Sequence, residues 1–187
     1  MERFQFTNDL SRLVLLCILK EEAEGFCLAT YNTATKELIA TVKGPELQDG
    51  CSEMSLSPDA QRVALTFARR GVIRIIENGV KVQEWQGRRS QLSPRGDRIA
   101  YLNPDNQVVI RVLATGKESI IARALACSSL YWSPDEQFLL HSTRLRFGIM
   151  GVTLLMVDAN TGSEIWSKNI SAPTCGGNYF LRSRPLV

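Results

Sequence analysis

Three stretches of this chain open with the same turn and run on into an apolar strand: SPDAQRVALTF from Ser57, SPRGDRIAYLN from Ser93 and SPDEQFLLHST from Ser133. A fourth copy, TNDLSRLVLLC, starts at Thr7 and lacks the proline. Successive starts lie 50, 36 and 40 residues apart. Self-similarity at such a period marks a stacked supersecondary unit, and it narrows the fold more than any bulk property does. The turn has its own chemistry. A serine or threonine hydroxyl bonds nearby backbone amides, proline presets φ near about −65°, and Asp or Gly closes the turn.

Each turn joins two predicted strands. Before it come Phe4–Phe6, Met54–Leu56, Ser90–Leu92 and Leu130–Trp132; after it come Leu13–Leu15, Val63–Leu65, Ile99–Tyr101 and Leu139–Leu140. A second hairpin follows in every unit. It pairs Cys27–Tyr31 with Glu37–Val42, Val72–Ile76 with Val80–Trp85, Val108–Leu113 with Glu118–Ala122, and Val152–Val157 with Glu164–Lys168. Asn78-Gly79 is a strong hairpin signal between two of these strands. No segment carries a sustained helical stripe. Four strands per unit at a period near about forty residues predict an all-β chain of four β-propeller blades, each a four-stranded antiparallel sheet. Their expected limits are 3–43, 52–87, 88–123 and 128–169, within one repeat array over 1–187. Tyr179–Arg182 reads as the first strand of a fifth unit, so 178–187 is an orphan strand or tail.

The turn and its strand resemble the TolB-type, WD-like propeller repeat. Tyr131-Trp132-Ser133-Pro134-Asp135 and Ser93 through Tyr101 match it best, and the resemblance extends over roughly residues 3–168. It implies a rigid disc whose loops and channel bind proteins or peptides. The same repeat forms the gating propeller of prolyl-oligopeptidase-like peptidases, which leaves a second expectation, a propeller that accompanies a hydrolase. This chain has no Gly-x-Ser-x-Gly elbow, so no catalytic residue is assigned. VDANTGSEIWS at Val157–Ser167 is also similar to the end of a quinoprotein-type blade, but it occurs once and no cofactor is expected.

Such propellers usually carry more blades than four. Four blades alone expose two apolar faces, so a homodimer that completes a ring is one expectation and docking onto a larger propeller another.

Bulk properties narrow the partners. Hydrophobic residues make up 44% and charged residues 22%, an ordinary globular balance. A net charge of +3 is too small to indicate nucleic acid. The charge is uneven: residues 1–50 carry five Lys/Arg against eight Asp/Glu, leaving seventeen against eleven for 51–187. Arg69, Arg70, Arg88 and Arg89 are the densest basic pairs, read as hairpin-tip charges or as a basic binding surface. Leu13–Leu19 is the one long apolar run near the start. It is far too short to span a bilayer, and Glu21, Glu22 and Glu24 spoil a cleavage site, so a cytoplasmic protein without membrane contact is expected. Five cysteines with no Cys-x-x-Cys pair, and one histidine, suit buried thiols better than a metal site.

Most candidate residues have a structural reading that outweighs the chemical one. Asp9, Asp59, Asp97 and Asp135 recur at turns in different blades, too scattered for acid–base or calcium work. Arg12, Arg62 and Arg98 share one aligned position, which points to bonding of a neighbouring turn. His141 occupies a strand position held by Leu15, Leu65 and Tyr101 elsewhere, so a packed residue is expected rather than a base. Trp85, Trp132 and Trp166 read as core. Gln5, Ser55, Gln91 and Tyr131, two positions before each turn, are the candidates to line a channel.

Overall fold

In the computed structural model of the chain, residues 3–7, 9–18, 26–44, 51–78, 80–123, 127–144 and 151–171 are described. They form four separate antiparallel sheets of four strands, each taken in chain order. Blade 1 holds β1 (Arg3–Phe6), β2 (Arg12–Ile18), β3 (Phe26–Asn32) and β4 (Leu38–Gly44). Blade 2 holds β5 (Glu53–Leu56), β6 (Arg62–Phe67), β7 (Val72–Glu77) and β8 (Val80–Gln86). Blade 3 holds β9 (Arg88–Leu92), β10 (Arg98–Leu102), β11 (Gln107–Val112) and β12 (Glu118–Arg123). Blade 4 holds β13 (Cys127–Trp132), β14 (Phe138–Arg144), β15 (Gly151–Asp158) and β16 (Glu164–Ser171). The segment expected as a fifth first strand, Tyr179–Arg182, lies outside the described residues. Among those residues no helix is long and apolar enough to cross a membrane.

The recurring turn is the same object four times. The amide of its first residue bonds the carbonyl five residues on, as in Ser57 to Arg62 at 2.9 Å and Ser133 to Phe138 at 2.9 Å. The amide of its fourth residue bonds back to the first, as in Gly96 to Ser93 at 2.8 Å. That fourth residue has left-handed φ in every copy: Leu10 at 60°, Ala60 at 54°, Gly96 at 74° and Glu136 at 60°. Only Gly96 is suited to it by residue type. The other three are held by the hydrogen bonds that close the turn.

Turn carboxylates complete the bonding. Asp59 accepts from the Ser57 hydroxyl at 2.6 Å and from the Gln61 amide at 3.0 Å; Asp135 does the same with Ser133 and Gln137. The Thr7 hydroxyl, with the amide and hydroxyl of Ser11, holds the Asp9 carboxyl down at about 2. These aspartates face their own turns, and the structural reading accounts for them.

Strands in the interior of the array are apolar on both faces because both faces meet another blade. In β6 the odd residues Val63, Leu65 and Phe67 pack toward blade 1 with Val14, Leu16 and Leu28. The even residue Ala64 packs the other way, toward Leu92, Ile99 and Val109 of blade 3. A third core joins Ala100, Leu102, Val108 and Ile110 to Leu130, Leu139 and Val157 of blade 4. Each fully buried aliphatic side chain contributes roughly 1.5–3 kcal/mol. The cores therefore lie between sheets, and blades hold each other in the array.

Candidate functional site

The first strands of blades 2, 3 and 4 run side by side and leave a cleft of about 240 Å³. Glu53 and Met54 of β5, Arg89, Ser90 and Gln91 of β9, and Ser129, Leu130 and Tyr131 of β13 line it. Mixed polar and apolar lining suits a ligand that presents both backbone-like amides and a side chain.

Two of the four channel candidates, Gln91 and Tyr131, line this cleft. Ser55 is fully buried, and its hydroxyl accepts a hydrogen bond from the Leu92 amide of the next blade at 2.9 Å. Gln5 is half-buried on β1, away from that lining. Equivalent strand positions therefore differ in what they face, because each blade meets different neighbours.

The basic pairs need one correction. Arg69 and Arg70 are exposed in the turn between β6 and β7, as expected of a hairpin tip. Arg88 and Arg89, expected in a loop, lie on β9 instead. Gly87 has already made the connection, its amide bonding the Gly71 carbonyl at 2.7 Å, and Arg88 is then paired with Leu102. That bond brings the two arginine pairs to one end of blades 2 and 3. Arg88 donates to the Asn106 side chain at 2.6 Å.

Arg89 is set by a bulge. The register of β9 against β10 shifts between Ala100 and Leu102, and Arg89 takes a left-handed φ of 55° inside a strand. A bulge of this kind re-aims a side chain, and left-handed φ costs a residue with a Cβ roughly 1–2 kcal/mol. Here it turns the guanidinium onto the Glu53 carboxylate of blade 2 at the mouth of the cleft. Glu53, Met54 and Ser129 were not singled out by sequence reasoning. For Glu53 and Ser129 a signal was available, since they share with Arg89 the position four before the turn.

The repeated arginines clasp neighbouring turns. Arg12 donates to the Asp59 carbonyl of blade 2, Arg62 to the Gly96 carbonyl of blade 3, and Arg98 to the Glu136 carbonyl of blade 4. His141 is a packed strand residue, 2% exposed, and neither ring nitrogen has a hydrogen-bond partner among the described residues. Burial pushes its pKa below the usual histidine value, so the ring is neutral. Trp85 and Trp132 pack into the cores between blades, whereas Trp166 is exposed on the outer strand of blade 4.

Four-stranded sheets stacked face to face around their first strands define a β-propeller fold, here a partial one. Solved structures agree. Over 90% of this chain and 48% of the other, it superposes on hydrazine synthase of Kuenenia stuttgartiensis with a TM-score of 0.65 at 13% identity. The β-propeller domain of Cps50 (Swd1) from Myceliophteria thermophila matches 89% of this chain over 56% of its own, with a TM-score of 0.65 at 12% identity. TolB from Acinetobacter baumannii matches 90% over 42% of its own length, with a TM-score of 0.59 at 17% identity. The chain thus spans about half the length of the structures it matches. No known family model and no curated protein matches the sequence.

Proposed function

We propose that this chain is a non-enzymatic binding module for a protein or peptide partner, engaged at the cleft between β5, β9 and β13. One observation carries the reading: the cleft gathers Gln91, Tyr131, Ser129 and the Arg89–Glu53 pair around only about 240 Å³. That volume falls short of the roughly 300–1,000 Å³ of a drug-sized or cofactor site. It suits one or two side chains of an extended peptide. Gln91 can bond a peptide amide, and Tyr131, 57% exposed, offers the aromatic surface that interface hot spots favour. A second copy of this chain belongs to the same class of partner.

The test is fluorescence anisotropy of peptides drawn from a positional-scanning library. Selected peptides should bind wild type, and Tyr131→Ala or Gln91→Ala should weaken binding by about tenfold or more. Binding left unchanged in both variants, or a library with no binder, would refute the reading.

A further inference from the structure

The end blades differ from the inner ones at equivalent register positions, and the differences match each other. At every inner seam an arginine of one blade reaches a backbone carbonyl in the next blade's turn. In blade 4 that position is Phe138, half-buried, with no following blade among the described residues. In blade 1 the turn that would receive an arginine carries Leu10, 65% exposed, where later turns have Ala60, Gly96 and Glu136.

The sheet faces follow the same pattern. Toward the following blade, blade 2 presents the cross-strand row Ser55, Ala64, Ile75 and Gln83. Blade 3 presents Gln91, Ala100, Ile110 and Ser119. Blade 4 instead presents Tyr131, Leu140, Met156 and Trp166. Toward the preceding blade, the outer-strand residue is charged in blades 2 to 4, as Lys81, Glu118 and Glu164. Blade 1 has Leu38 there, in a row with Phe6, Leu13 and Tyr31. Phe4, Phe6, Leu38, Tyr131 and Trp166 are all exposed. Among the described residues, these two faces are therefore left open to each other.

We propose that these two faces cover each other in a second copy of the chain. Blade 4 of each copy packs on blade 1 of the other, giving a two-fold ring of eight blades in which Phe138 and Leu10 replace the arginine clasp. Polar and charged groups have been exchanged for apolar ones on both sides of the same missing seam, which is the complementarity a seam between copies requires. Eight blades lie within the range propellers adopt, and two-fold pairing is the commonest symmetry. The seam would also cover Tyr131, which the peptide cleft uses, but Phe4 and Trp166 do not line that cleft, so their variants test the seam separately from peptide binding.

Sedimentation velocity over a dilution series of the 187-residue chain should show twice its 20.9 kDa mass. A monomer, or an open series of multiples, overturns the proposal. Phe4→Glu and Trp166→Glu should each halve the mass while keeping the strand signal in circular dichroism. Mixing the two should restore the dimer, because one of its two seams is then built from intact faces. Folded single variants that stay dimeric, or a folded mixture that stays monomeric, overturn it. Should either variant unfold, the pair Tyr131→Cys and Phe6→Cys in one chain decides. Inner seams place Ser55 against Leu92, so these equivalents should crosslink two copies under mild oxidation beyond the wild-type background. Absence of that crosslink overturns the seam.

Discussion

Arg98 donates from one guanidinium nitrogen both to the backbone carbonyl of Glu136, at 3.0 Å, and to its carboxylate, at 3.0 Å. The same arginine lies over the Trp132 ring, 5.0 Å from its centroid. One side chain of blade 3 thus holds the turn and the first strand of blade 4. Arg95 adds a backbone and a side-chain bond to the same carboxylate. Burial works to raise the Glu136 pKa, but the bonds from the Arg95 amide and the Arg98 and Arg95 guanidiniums outweigh it and hold it below the usual value.

Removing that carboxylate leaves a largely buried guanidinium with one partner fewer. Glu136→Ala should cost about 3 kcal/mol, read from urea unfolding. Because the folded pKa is depressed, the carboxylate's contribution is complete above about pH 4.3 and is lost as pH falls through the folded value. The variant's stability should accordingly fall less than that of wild type between neutral pH and pH 3. Equal slopes would assign the acid sensitivity elsewhere.

His141 has the same pH direction from a different cause. Its folded pKa is depressed by burial, so the unfolded chain binds the proton more readily. Stability is then full above about pH 6.5 and declines as pH falls from there through the folded value. His141→Leu, the residue found at the equivalent positions Leu15 and Leu65, should stabilise the fold more at pH 5 than at pH 8. Thermal melts at the two pH values measure this.

The second hairpin turn offers a backbone test. Lys36, Gly116 and Gly162 occupy the same place, each amide bonding four residues back, and each has positive φ: 61°, 70° and 75°. Lys36→Gly should stabilise by about 1 kcal/mol through relief of left-handed strain. Gly162→Ala should destabilise by more than that strain, because an added Cβ would sit 2.9 Å from the Ile121 carbonyl of blade 3. Chemical denaturation of both variants gives the comparison.

Arg62→Met tests the clasp on its own. It removes the bond to the Gly96 carbonyl and the 2.8 Å bond to Glu77, while a long apolar side chain is kept. A loss of about 1–3 kcal/mol is expected in urea unfolding. A loss under about 0.5 kcal/mol would mean that apolar packing alone holds the seam.

Sixteen strands were readable before any coordinates, because turn residues and apolar runs are local signals repeated four times. The alignment also exposed the shared position of Arg12, Arg62 and Arg98 and assigned it to a neighbouring turn. The cleft was only half legible. Gln91 and Tyr131 line it, but Ser55 at the same position is sealed by the next blade. Arg89 reaches Glu53 through a bulge in β9, and no residue pattern in one strand announces a register shift against another.

The sequence by itself determined the repeat, the strand order and the turn chemistry, since each depends on residues within a few positions of one another. Which face of each strand is covered, which arginine finds which carbonyl, and where two apolar faces are left open depend on one blade's position beside another. Those were decided only by the tertiary structure. The recurring Ser-Pro-Asp turn carries no information about its neighbour; Phe138 and Leu10 acquire meaning only once the seams between blades are seen.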